Sequence, residues 1–113
     1  MLTDLTYLET MSGGDPNFIR EMYDIFIEQV SDYREKMPAL LECHDYEALS
    51  RVAHKATSTV AVMGMENDAK KLKDLELKAK EKVDIESYEE IINTFIKNAG
   101  LAIKELDELI NNA

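Results

Sequence analysis

Hydrophobic residues recur along this chain at steps of mostly three and four positions, the spacing that places side chains on one face of an α-helix. The first long stripe follows Asp15 and Pro16, which indicate a helix start because the carboxylate caps free amides and proline loses no hydrogen bond at the first helical position. Pro38 interrupts the pattern, so we expect either one bent helix or two helices that meet within residues 30–37. The stripe consists of Phe18, Met22, Ile25, Phe26, Gln29, Tyr33, Met37 and Leu40, of which only Gln29 is polar.

Three more helices are indicated by their own start and stop signals. Asp45 is placed to cap the second helix, and Gly64 to end it in a left-handed conformation. The last helix begins with a capping box at residues 87–90, in which Ser87 and Glu90 are expected to satisfy each other's free amides. The stripe of the third helix consists of Met65, Ala69, Leu72, Leu75 and Ala79. The stripe of the last helix consists of Ile91, Ile92, Phe95, Ile96, Ala99, Ile103, Leu106, Leu109 and Ile110.

These patterns predict an all-α fold. The chain has only 4 glycines and 2 prolines, too few for the turns of a many-stranded β fold. Four substantial amphipathic helices with short connections are typical of an antiparallel four-helix bundle. Leu5 and Leu8 predict a short capping helix at the N-terminus. We interpret residues 1–113 as a single domain, and we expect a monomer because each helix has only one apolar stripe.

The helix after Asp45 holds the most informative side chain of the sequence, His54. Successive helical residues turn by ~100°, so the apolar residues of this helix gather opposite His54 and the imidazole is predicted to face solvent. The stripe expected to face the core consists of Leu49, Val52, Ala56, Thr59, Val60 and Met63. The neighbours expected on the exposed face are mostly small and consist of Ser50, Arg51, Thr57, Ser58, Ala61 and, further round, Val62. Small neighbours leave room for another protein to approach the ring.

Histidine chemistry makes this position a candidate site. A neutral imidazole nitrogen is a good nucleophile near neutral pH, and a phosphoryl group carried on it can be handed onward. The alternative is an incidental surface histidine on a helical bundle, and position and neighbours alone leave both interpretations open.

Charge and composition exclude several other classes of function. The formal net charge of −10 repels nucleic-acid backbones and anionic membrane surfaces, and no apolar stretch approaches the roughly 20 residues that span a bilayer. We therefore expect neither nucleic acid nor membrane as a partner. Because a single cysteine allows no internal disulfide, we expect a cytoplasmic location. The single cysteine, Cys43, is expected to be a buried residue at a helix end. Beside His44 it lacks the further ligands that a metal site needs, so no metal site is expected.

The segment 53–64 resembles the histidine-containing phosphotransfer (HPt) domains of phosphorelays, in which a glycine follows the histidine by ten residues, as Gly64 follows His54. The order and spacing of other segments are similar as well, so that the likeness spans roughly residues 5–110. The further matching residues are Gly14, Asp15, Pro16, Asn17, Phe18, Phe26, Leu75, Glu76 and Ala79.

The resemblance implies that His54 is phosphorylated, accepting a phosphoryl group from the aspartate of a receiver domain or donating to one. The receiver would belong to a response regulator or a hybrid histidine kinase and would supply Mg²⁺, so this chain is expected to bind no cofactor. It would be a phosphoryl carrier rather than an enzyme with its own kinase activity, since no phosphate-cradling glycine loop is present. The implied docking face consists of Ser50, Ser58, Ala61, Val62 and Gly64.

Two positions depart from the family, which usually has lysine three residues and glycine four residues after the histidine. Here they are Thr57 and Ser58. A threonine hydroxyl can hydrogen-bond phosphoryl oxygens but cannot neutralise them, so Arg51, with Lys55 as a poorer candidate, is expected to provide the charge. The departure keeps a second hypothesis open, a docking module that binds a receiver or kinase domain without being phosphorylated. A helical bundle unrelated to signalling is the third.

Overall fold

The computed structural model describes residues 2–111, and every regular element in that range is helical. The predicted all-α fold, with a short helix at the N-terminus, is thereby confirmed. The helices are α1 (Thr6–Ser12), α2 (Pro16–Glu42), α3 (Tyr46–Val62), α4 (Glu66–Glu81) and α5 (Tyr88–Asn111), with a 3₁₀ helix (Ile85–Ser87) before α5.

The four long helices close into a bundle in which α2 and α4 each pack against both α3 and α5. Arg20 near the start of α2 donates a hydrogen bond of 2.8 Å to Asn111 at the end of α5, so these two helices run antiparallel. The 27 residues of α2 correspond to about 40 Å of helix, close to the 43 Å long axis of the molecule. The short α1 contacts α2 and buries Leu8.

Helix α2 runs unbroken through Pro38, which confirms the one-helix alternative. Its start is capped as predicted, since the carboxylate of Asp15 accepts from the backbone N–H of Asn17 at 3.0 Å. The predicted apolar stripe was wrong on one edge, because Ile25 is 44% exposed and Gln29 is exposed as well.

The buried edge of α2 carries Tyr23 and Val30 instead. Residues 26, 33 and 37 belong both to the predicted stripe and to the observed core. The spacing of these three residues fits a stripe that includes Ile25 and Gln29 as well as one that includes Tyr23 and Val30, so the sequence did not decide between the two. On the buried side the Tyr23 hydroxyl donates to the carbonyl of Ile103 at 3.2 Å, so this aromatic residue finds a partner for its polar group.

Helices α3 and α4 pack closely against each other, and both carry small residues that are fully buried. Ala53 and Ala56 of α3 and Ala79 of α4 are fully buried. The Ser50 hydroxyl donates to the carbonyl of Glu76 at 2.8 Å, directly across this interface. Ser50, predicted on the exposed face, is only 8% exposed, because the close contact with α4 covers it.

Gly64 ends the α3 segment in a left-handed conformation with φ +74°, as predicted. The backbone N–H of Met65 donates to the carbonyl of Val60 at 3.1 Å, as a Schellman motif requires. The N-terminal segment lies directly over the glycine, and the N–H of Asp4 donates to the carbonyl of Met63 at 2.9 Å. A Cβ at residue 64 would lie 2.6 Å from the Cβ of Asp4.

Two local predictions at helix ends were wrong. The backbone N–H and the hydroxyl of Ser87 both donate to the carbonyl of Asp84, at 3.0 and 2.7 Å, so the 3₁₀ turn replaces the expected capping box. Cys43 is exposed rather than buried, because it is the residue that ends α2 at the open turn before α3. The cap of α3 is as predicted, with Asp45 accepting from the N–H of Ala48 at 3.1 Å.

Candidate functional site

His54 lies in the middle of α3 with 65% of its side chain exposed. The predicted exposure is confirmed, and its cause is the position of the core on this helix. Leu49, Ala56 and Val60 are fully buried on the faces away from the histidine. The imidazole is therefore held on a rigid helix while one side of the ring remains open to solvent.

One ring nitrogen of His54, Nδ1, contacts Glu76 of α4. Both carboxylate oxygens of Glu76 lie 3.1 Å from Nδ1 of His54. An ionised carboxylate can only accept hydrogen bonds, so Nδ1 must carry the hydrogen. In a neutral ring that leaves the lone pair on Nε2.

Glu76 is suited to remain ionised in this position. The side chain of Glu76 is 16% exposed, and this burial alone would raise its pKa. Glu76 also accepts hydrogen bonds from His54 and from Lys73, whose Nζ is 3.4 Å away. These hydrogen bonds outweigh the burial, so the pKa of Glu76 is lowered below its ordinary value. The carboxylate charge is thus maintained where it contacts the imidazole.

An open groove of about 820 Å³ runs beside His54 between α3 and the C-terminal half of α4. Besides His54 and Ser50 it is lined by Glu47, Arg51, Lys55, Glu76, Lys80 and Lys82. Four cations against two carboxylates give the groove an excess of positive charge on a chain whose formal net charge is −10. A locally basic groove beside an exposed imidazole favours an anionic reactant.

Comparison with known families agrees with this geometry, because the Hpt domain family model matches residues 21–113. The chain belongs to the Hpt domain family. Hpt domains are phosphotransfer modules of two-component signalling systems, which carry phosphoryl groups rather than act as kinases and which interact with receiver or kinase domains. Searches of curated proteins and of solved structures gave no match.

The residues expected to supply charge in this Hpt domain differ in what they contact. Arg51 lines the groove but forms an ion pair of 3.2 Å with Glu47, one turn earlier on the same helix. Lys55 lines the groove as well. The Thr57 hydroxyl donates to the carbonyl of Ala53 at 2.8 Å, so its hydrogen is directed at its own helix.

The residues expected to form the docking face do not form one uniform surface. Ser58 and Ala61 are exposed and Val62 is half-buried. Ser50 is buried against α4, and Gly64 is half-buried with Asp4 directly over it. Of these five, only Ser58 and Ala61 present an open surface on α3.

Four residues of the groove were not identified as site residues from the sequence: Glu76, Lys80 and Lys82 of α4 or its end, and Glu47 of α3. A signal for the first two was present, since Lys73, Glu76 and Lys80 recur at steps of three and four and so share a face of α4. The pattern within α4 does not predict that this face contacts His54 of the neighbouring helix α3.

Residues 2–111 contain neither a candidate metal site nor a candidate membrane span. Within that range no group of three or more His, Cys, Asp and Glu side chains is arranged to hold a metal ion. None of the described helices combines the length and the apolar character needed to cross a membrane.

Proposed function

We propose that His54 of this Hpt domain accepts a phosphoryl group on Nε2 from the aspartyl phosphate of a receiver domain, and returns it to a receiver aspartate. The observation that carries the proposal is the pair of 3.1 Å contacts between Nδ1 and Glu76 on a ring whose other nitrogen is open to solvent. A nucleophile that is oriented by a second group is the usual arrangement for such transfer.

The transfer forms one bond and breaks one. The Nε2 lone pair of His54 forms the bond to phosphorus while the bond from phosphorus to the aspartate oxygen breaks, and the carboxylate leaves with that electron pair. The Nδ1 hydrogen stays on the ring. Positive charge develops on the imidazole as the new bond forms, and the carboxylate of Glu76 stabilises it through the hydrogen bond to Nδ1, as a buried aspartate does for the histidine of a serine protease.

The basic groove supports the same role. A phosphoryl group on Nε2 carries negative charge into this groove, and the groove's cations, Arg51 and Lys55 among them, offset the absence of the family's lysine at Thr57. Mg²⁺ and the catalytic groups of the transfer come from the receiver, so this domain acts as a carrier that needs no bound cofactor and has no kinase activity of its own.

The docking contact is assigned to the exposed part of α3 around the histidine. Ser58, the half-buried Thr57 and Ala61 follow His54 within two turns and are small, so a receiver can approach the ring without displacing long side chains. Val62 adds apolar area at the far end, with Gly64 and the buried Ser50 behind this surface. We further propose a monomer that works in the cytoplasm.

The test is phosphoryl transfer from receiver domains of the same genome, phosphorylated with acetyl phosphate in the presence of Mg²⁺. We expect acid-labile, alkali-stable label on the wild type and on His44→Gln, which removes the other, exposed histidine. His54→Gln should remain unlabelled. Receiver binding without label on the wild type would instead support the docking module, and neither binding nor label would contradict both.

A further inference from the structure

The position that usually holds the family's lysine contributes no charge here, and the structure shows that it does not contribute a free hydroxyl either. Thr57 donates its hydroxyl to the carbonyl of Ala53. Arg51 is one turn before His54, but its guanidinium pairs with Glu47. Lys55 belongs to the histidine helix too, but it lies about 100° round from His54 and also lines a second groove beside α2. The remaining candidate cations for a phosphoryl group on His54 lie on the opposite wall of the groove.

Lys80 is the lysine of α4 that meets this need. It follows Glu76 by four residues, so it lies one turn further along the helix face that contacts His54, and it lines the same groove as the imidazole. Two neighbouring lysines are engaged elsewhere, since Lys73 pairs with Glu76 at 3.4 Å and Lys78 bridges two aspartates. Lys80 forms no ion pair with the part of the chain that the structure describes.

Lys82 lines the groove too, but it is less firmly placed. It is the left-handed residue that ends α4, with φ 57°, whereas Lys80 lies within the helix. A group that must meet a reacting atom is more precise when a regular helix holds its backbone.

We infer that Lys80 binds the phosphoryl oxygens on His54, replacing from α4 the charge that the family usually supplies from the histidine helix. This inference rests on the proposed function. The ammonium group of Lys80 donates charge-assisted hydrogen bonds to the phosphoryl oxygens. These bonds stabilise both the transferring phosphoryl group and the phosphohistidine. Within one groove, Glu76 then stabilises the ring and Lys80 stabilises the phosphate.

The experiment uses phosphoramidate as a phosphoryl donor that needs no protein partner. Its P–N bond breaks as the bond from Nε2 to phosphorus forms, and ammonia leaves with the proton that the medium supplies. The full chain is compared as wild type, Lys80→Gln, Lys80→Arg and Lys71→Gln. Lys71 is exposed and lies nine residues before Lys80, about 180° round the same helix, so its substitution changes the net charge equally without changing the groove.

We expect Lys80→Gln to slow the gain of phosphoryl mass on His54 and to shorten the phosphohistidine lifetime, each by about tenfold, the effect of one lost charge-assisted contact at an exposed site. Lys80→Arg should stay near the wild type, and so should Lys71→Gln. Circular dichroism spectra identify any variant that fails to fold. If Lys80→Gln does not fold, the comparison is made between Lys80→Arg and the wild type.

Three results would overturn the inference. Equal rates for Lys80→Gln and Lys71→Gln would show that Lys80 makes no specific contact. A loss confined to Arg51→Gln, measured beside them, would assign the contact to the histidine helix. A wild type that gains no phosphoryl group at His54 would overturn the proposed function along with the inference, which separates the two kinds of failure.

Discussion

Glu76 of α4 places both carboxylate oxygens 3.1 Å from Nδ1 of His54 on α3. The close approach of the two helices positions this pair, because Ser50 of α3 bonds the backbone carbonyl of Glu76 itself. The contact makes one nitrogen of the imidazole a donor and leaves the other free. This relationship orients an exposed histidine with Nε2 free, as the proposed transfer requires.

Replacing Glu76 by glutamine should therefore slow phosphorylation without unfolding the domain. An amide can donate to Nδ1 as well as accept from it, so it fixes the hydrogen on Nδ1 less firmly than a carboxylate does. Being neutral, it also stabilises positive charge on the ring less. We expect a rate about tenfold lower with phosphoramidate as donor. Glu90→Gln, an exposed substitution on α5 with the same change of charge, is the control and should keep the wild-type rate.

The stability of the pair should depend on pH in one direction. The pKa of Glu76 is lowered in the folded state, so the unfolded chain binds its proton first as the pH falls. The stabilisation is fully present above the unfolded value near 4.5 and is lost as the pH falls through the lower folded value. Urea denaturation at about pH 7, 5 and 3 measures the free energy of unfolding of the wild type and of Glu76→Gln. We expect the wild type to be more stable by at most about 1 kcal/mol, because His54 and Lys73 are exposed, and we expect this difference to shrink at the lowest pH. An advantage that grows toward the lowest pH would contradict this account.

Tyr88 should stabilise the connection between α4 and α5 through its hydroxyl. The side chain is fully buried, and the hydroxyl lies 2.8 Å from the carbonyl of Lys78 and 2.6 Å from that of Val83. Tyr88→Phe removes the donor to both carbonyls, although the Lys78 carbonyl still accepts from the backbone N–H of Val83 at 3.0 Å. We therefore expect a loss of about 1 kcal/mol in the free energy of unfolding. Tyr7→Phe, at a residue 53% exposed, should change it by less than about 0.5 kcal/mol. Equal effects of the two substitutions would refute the assignment.

Gly64 should tolerate alanine less well than Gly13 does. Both glycines have positive φ, at +74° and +65°, so alanine is strained at either position by about 1 kcal/mol. Only at residue 64 does the new Cβ also meet the backbone N of Asp4, at 2.6 Å, whereas nothing lies within 4 Å at Gly13. Thermal denaturation of the two variants should show the larger loss for Gly64→Ala. Equal losses would mean that the N-terminal segment gives way without cost.

Much of the fold could be predicted from the sequence because each helix carries its own evidence. The spacing of apolar residues identified all four long helices, and Asp15 and Asp45 cap α2 and α3 as their types predict. Helix arithmetic on α3 alone was enough to place His54 at the surface. These features depend on one segment at a time.

The contacts between helices could not be predicted in the same way. Which face of α4 meets His54 depends on how the two helices pack against each other, and no periodicity within one helix contains that relation. The burial of Ser50 has the same origin. Glu76 was noted only as part of a family resemblance, and its contact with the imidazole became visible in three dimensions.

The most direct test of the account is the position of the phosphoryl group on the ring. After incubation with a phosphorylated receiver domain and Mg²⁺, nitrogen-resolved NMR of ¹⁵N-histidine-labelled chain should show one modified histidine, His54, substituted at Nε2 with Nδ1 still protonated. The spectrum of His44→Gln should keep that signal, and the spectrum of His54→Gln should lack it. Phosphorylation at Nδ1 of His54, or no phosphohistidine on the folded wild type, would contradict the central claim that Glu76 orients this ring for transfer.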